Sequence, residues 1–140
     1  MRCTIDWLAA SGMAFSAETG SGHLLTMDGA AEGGGRNLAP RPMETLLAGT
    51  GACAAYDVVH ILRRGRHDVR ACRVRVDAER AETDPKVFTR IVLHFVVTGV
   101  GVPTVAVERA IALSHDTYCS ATIMLAKTAA IETSFEIVEA

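Results

Sequence analysis

Between Pro42 and Arg64 the chain carries a helix-length segment, PMETLLAGTGACAAYDVVHILRR, that leaves almost no polar stripe on a helix drawn through it. A helix apolar all round is buried all round, so the fold has to enclose this segment. Its ends are well marked. Pro42 suits a first turn, where its missing N–H has no partner to lose, and Glu44 favours the positive end of the helix dipole. Arg63 and Arg64 suit the carbonyl end, and Gly65 is expected to close the helix in a left-handed conformation. The basic run Arg63-Arg64-Gly65-Arg66 is thereby read as a cap rather than an anion site. Gly49 and Gly51 each cost about 1 kcal/mol relative to alanine inside a helix, and close approach of another backbone is the simplest compensation.

The rest of the chain supplies the enclosure. Arg2 to Leu8 alternates with period two, and short strands are expected near Ala14 to Thr19 and His23 to Met27. Asp28 to Pro40, with Gly33-Gly34-Gly35, reads as a mobile loop; the run Gly33 to Arg36 lacks the strand, helix and Lys-Ser/Thr of a phosphate loop. Cys72, Val74, Val76 and Ala78 alternate with charged residues. After Asp84-Pro85, Ile91, Leu93, Phe95 and Val97 give the second arm of an antiparallel hairpin. Val107, Ala110, Ile111 and Ser114 recur at helical spacing, Ser120 opens a third helix, and Ile131 to Ile137 alternate as a last strand. This segregated order predicts an α+β fold, with antiparallel sheets around a long buried helix, in a single domain over residues 1–140.

A net charge of −2 gives no electrostatic reason to expect nucleic acid or an anionic membrane. The best uncharged apolar stretch, Thr45 to Tyr56, stops at Asp57, short of the roughly 20 residues that cross a bilayer. Asp6 interrupts any signal-peptide core, so a cytoplasmic location is expected.

The four cysteines, Cys3, Cys53, Cys72 and Cys119, include no C-x-x-C pair and no metal-binding spacing, so no metal is expected. Cys3 and Cys72 alternate with polar residues on strands and are expected to face the core. Cys53 sits among small residues in the enclosed helix, where the ordinary fate of a thiol is to be packed. Cys119, in DTYCSA, immediately precedes a helix N-terminus, a place that favours a thiolate. His115 and Asp116, just before it, are either a base or a solvated helix end. His60, seven residues after Cys53, lies almost on its face of the helix and suits a polar lining or a subunit contact.

Taken together, PMETLLAGTGACAAYDVVHIL, the strand pair ERAETDPKVFTRIVLHFVVTG and ERAIALSHDTYCSATIML resemble the OsmC/Ohr family, on its YhfA-like branch, over essentially the whole chain. The resemblance implies an intertwined homodimer with two long central helices wrapped by sheets from both subunits. It also implies thiol peroxidase chemistry without a cofactor. Cys53 would attack an organic hydroperoxide or another small apolar electrophile, Cys119 would resolve the sulfenic acid as a disulfide, and an external dithiol would restore both. Active hydroperoxide reductases of the family pair an N-terminal Arg with a Glu directly after the helix-opening Pro. Here Met43 holds that place and Glu44 lies about 100° further round the helix. Turnover is therefore expected to be slow, and a non-enzymatic ligand-binding or redox-sensing dimer is the alternative on the same fold.

Overall fold

The computed structural model describes residues 1–140. Met1–Leu47 and Ala48–Ala140 form two compact units. In the first, β1 (Cys3–Trp7), β2 (Ala14–Thr19) and β3 (Leu24–Asp28) make an antiparallel meander in which Cys3, Ile5 and Trp7 stand opposite Thr19, Ala17 and Phe15. The alternation is as expected, but the apolar side is open: Ile5, Trp7 and Leu25 are all exposed, and so is Cys3, which was expected to face a core.

The segment after β3, expected to be a mobile loop, is wound around one carboxylate. Asp28 is fully buried and accepts the N–H groups of Gly29 (2.8 Å), Arg36 (2.9 Å) and Leu38 (3.0 Å). A Cβ at Gly35 would run into the Gly29 carbonyl, so part of the glycine run serves close packing rather than freedom.

α1 (Pro42–Arg64) begins in the first unit and supplies the second with its central element. Pro42 opens it as expected. Glu44 reaches back to accept the Arg41 N–H at 2.9 Å, which is the acidic half of a capping box. At the other end the left-handed residue is Arg66 (φ 61°) and not Gly65, with the His67 N–H reaching back to the Leu62 carbonyl.

The second unit holds β4 (Asp68–Arg80), β5 (Phe88–Val100) and β6 (Ala130–Glu139) in that order. β4 and β5 form the expected hairpin; β6 lies parallel to β5, so this sheet is mixed. The crossover is made by α2 (Thr104–Leu113), a π-helical turn (Ser114–Tyr118) and α3 (Ser120–Leu125). Ile91, Leu93, Phe95 and Val97 line the buried face of β5, and Val107, Ala110 and Ile111 of α2 are buried at the spacing the sequence shows. On the solvent side Arg90 joins Glu79 of β4 to Glu132 of β6, pairs exposed enough to contribute little.

Within this chain α1 is buried along one face only: Thr50, Gly51, Ala54, Val58 and Leu62. A Cβ at Gly51 would come within 2.8 Å of Val76 Cγ2, so the close approach that its glycine permits is to the chain's own β4. Gly49 faces open space, and Ala48, Ala52 and Tyr56 are exposed. The expectation of burial all round therefore fails within one chain. The 23-residue helix is long enough to cross a bilayer and contains an 18-residue window with a mean hydropathy of 1.3, more than the Thr45 to Tyr56 run suggested. Its packed stripe, and Asp57 in mid-helix with a hydroxyl partner, are features of a core helix.

The three N–H donors, Leu38 foremost, hold the Asp28 carboxyl below the ordinary carboxylate range. A group depressed in this way stabilises the fold above its unfolded pKa, and that contribution is lost as pH falls through the folded one. Stability should therefore drop on acidification from about pH 5 toward pH 3. Asp28→Asn should lower Tm at neutral pH and flatten the drop, as read by circular dichroism melts across pH. The part of the slope that remains, from Asp68 and Glu132 beside their arginines, should weaken in high salt because those pairs are exposed.

Candidate functional site

Cys53 lies on α1 beside the buried stripe, half-exposed, while Cys119 is fully buried at the N-cap of α3. The fold brings these two thiols, 66 residues apart in the chain, near enough that Cys119 acts on the Cys53 thiol. Both are free thiols. Cys119 is held firmly by its backbone. Its N–H donates to the Ser114 carbonyl at 2.8 Å, and its carbonyl accepts the Ile123 N–H and the buried Thr122 hydroxyl, each at 3.0 Å. The Ala121 N–H, two residues after Cys119, also acts on the Cys53 thiol.

Burial, followed by the contact with Cys119, pushes the Cys53 thiol up, and the nearby Asp57 carboxylate adds to this; the Ala121 N–H pulls the other way. No basic side chain is among the groups acting on it. Chemically, the site holds a thiol whose ionisation is disfavoured, with a second thiol nearby.

The supporting candidates from the sequence do not join this pair. Glu44 is engaged with the Arg41 N–H as a cap. His60 stacks on Tyr56, ring centroids 5.8 Å apart, and lines a cleft of about 480 Å³ whose β4 wall includes Cys72. His115 sits in the π-helical turn with its Nε2 3.9 Å from Asp116 and its buried Nδ1 without a partner. Cys72 is only half-buried, and burial raises its thiol pKa as well.

Sequence reasoning missed Asp57 and Ser114. The Ser114 hydroxyl donates to Asp57 Oδ2 at 3.0 Å, linking α1 to the turn that leads to Cys119. The available signal was an acid one turn after Cys53 in an otherwise apolar helix, together with a serine on the buried stripe of α2.

The family model described as OsmC-like protein matches residues 33–134. The chain belongs to the OsmC-like family. Protein YhfA of Escherichia coli (strain K12) is 44% identical over 140 residues, covering all of both chains. A solved structural-genomics protein is 43% identical with a TM-score of 0.90 over the whole of both chains. An organic hydroperoxide resistance protein OsmC from Legionella pneumophila shares the fold at a TM-score of 0.71 and 19% identity, covering 97% of each chain. The two three-stranded sheets and the long central helix are thus the OsmC-like fold.

In this OsmC-like site Cys53 should alkylate slowly at neutral pH, with a midpoint above the roughly 8.5 of a free cysteine. Cys119→Ala removes the neighbour that holds the proton on Cys53, so the midpoint should fall while burial keeps it above the free value. Iodoacetamide labelling against pH, resolved by site with mass spectrometry, checks both statements; a wild-type midpoint at or below the free value contradicts them.

Proposed function

We propose that this OsmC-like protein is a dithiol redox protein that reduces organic hydroperoxides as a homodimer in the cytoplasm. The observation that carries the reading is that Cys119 at the α3 N-cap lies near enough to Cys53 on α1 to act on its thiol, since two neighbouring thiols can be oxidised to a disulfide. Cys53, as thiolate, attacks one peroxide oxygen, the O–O bond breaks, and the alcohol leaves with a proton while Cys53 becomes a sulfenic acid. The Cys119 thiol then displaces water from that sulfur, giving the disulfide. An external dithiol returns the two electrons and restores both thiols. The likeness of fold to an organic hydroperoxide resistance protein supports the reaction class.

The rate is set by how much thiolate exists. Met43 stands directly after Pro42, Glu44 is spent on its cap, and Cys53 has no cation acting on it, so turnover is slow. That same observation favours a second reading, a redox sensor oxidised once and stoichiometrically. Treatment with an alkyl hydroperoxide or hydrogen peroxide, followed by peptide mapping beside Cys53→Ser and Cys119→Ser, tests the chemistry. The linkage between Cys53 and Cys119 is expected, with Cys53 sulfenic acid trapped in Cys119→Ser. Absence of both products removes the peroxidase reading, and oxidation without turnover on added dithiol assigns the sensor.

The homodimer is supported by two open apolar surfaces: the Gly49, Ala52 and Tyr56 side of α1, and the Ile5, Trp7 and Leu25 face of the first sheet. Light scattering at micromolar concentration should give twice the chain mass. Gly49→Leu, which meets nothing within its own chain, should dissociate the dimer without unfolding it. Gly51→Leu should instead destabilise the fold by about 1 to 3 kcal/mol through the Val76 contact. A stable wild-type monomer would rule the dimer out.

A further inference from the structure

Ser114 closes α2 with its side chain 2% exposed, and its hydroxyl reaches Asp57 Oδ2 on α1 at 3.0 Å. The carbonyl of the same residue accepts the Cys119 N–H at 2.8 Å. That bond joins residues five apart and completes the π-helical turn Ser114–Tyr118, a wide form of helix that is rare and that proteins keep mostly where it serves a site. Ser114 is thus tied to α1 by its side chain and to Cys119 by its backbone. Asp57 in turn lies one helical turn beyond Cys53, close enough for its charge to act on that thiol. Asp57, Ser114 and Cys119 thus form a hydrogen-bonded chain that runs from α1, one turn beyond Cys53, to the second thiol.

The Ser114 hydroxyl is the hydrogen-bond partner of the Asp57 carboxylate. Helix formation does not need it, its partial burial is costly without a donor, and its charge opposes the ionisation that a reactive Cys53 requires. What Asp57 supplies is an acceptor for Ser114, and what Ser114 supplies is the start of the turn that ends at Cys119. We propose that Asp57 and Ser114 are positioning residues: their hydrogen bond pins the π-helical turn to α1 and so delivers the Cys119 sulfur to Cys53. This deepens the dithiol reading and rests on it. The other groups bearing on Cys53 are Cys119 itself and the Ala121 N–H, and both belong to the segment that the pin holds.

The test uses the wild-type protein, Ser114→Ala, Asp57→Asn and Asp57→Ala, equilibrated with glutathione and glutathione disulfide. The fraction carrying the Cys53 to Cys119 linkage gives the effective concentration of one thiol at the other. Ser114→Ala and Asp57→Ala should lower that concentration by about tenfold or more, the scale set by one hydrogen bond to a charged group. Asp57→Asn keeps an oxygen for the Ser114 hydroxyl and should lose less. Alkylation of Cys53 against pH should separate the partners: the midpoint falls in both Asp57 variants, which remove the charge, and moves little in Ser114→Ala, which leaves it. A role confined to stability would lower Tm in all three variants and leave the linkage fraction of the folded protein at the wild-type value.

Linkage in Ser114→Ala equal to that in the wild type overturns the pin alone. No linkage in the wild type overturns the dithiol reading and the pin with it. If Ser114→Ala does not fold, Asp57→Asn against Asp57→Ala carries the test, since the two lose the same charge and differ in the acceptor oxygen. Equal linkage in those two overturns the proposal.

Discussion

The packing of one face of α1 on β4 of the second sheet is the contact on which the rest of the site depends. Thr50, Gly51, Ala54, Val58 and Leu62 form the stripe, and Gly51 lets the helix come close to Val76 because it has no Cβ to hold it off. The stripe fixes the rotation of α1. With Ala54 and Val58 turned inward, Cys53 and Asp57, each one residue earlier, fall at the border of the buried face. There they meet the segment that follows α2. A helix rotated by half a turn would present Ala55 and Leu62 to that segment and leave the thiol on the far side.

The thiol site shows two demands pulling against each other. Cys53 is partly enclosed where it lies near Cys119, and enclosure disfavours the thiolate. Proximity serves the second step of the chemistry, disulfide formation, while burial and the Asp57 charge slow the first. The site as built in this chain is better suited to resolving an oxidised sulfur than to generating one quickly. That balance follows from the groups in place: a thiol and a carboxylate act on Cys53, and no cation does.

Much of the fold was legible because it is written in local periodicity. The ends of α1, the alternation in β4, β5 and β6, and the buried positions of α2 all follow from spacings of two or three to four residues. Local pattern failed where a single residue organises distant backbone. The segment after β3 looked like free chain because its composition is glycine-rich. It is shaped by Asp28, whose carboxylate gathers N–H groups up to ten residues away. Cys3 was placed toward a core because its strand alternates; alternation says that two faces differ and does not say that either one is covered.

By itself the sequence determined that a long apolar helix would sit among strands, that its ends would fall at Pro42 and Arg64, and that Cys53 and Cys119 would stand in mid-helix and just before a helix. These are properties of neighbouring residues, governed by capping, periodicity and propensity. The tertiary structure alone decided that the two thiols lie near each other, that Asp57 meets Ser114, that His60 stacks on Tyr56, and that Gly51 rather than Gly49 is the point of close approach. Each of these depends on the rotation of α1 and on the width of a π-helical turn. Both are set by side chains packing across more than fifty residues of chain, a distance over which local sequence pattern carries no information about who faces whom.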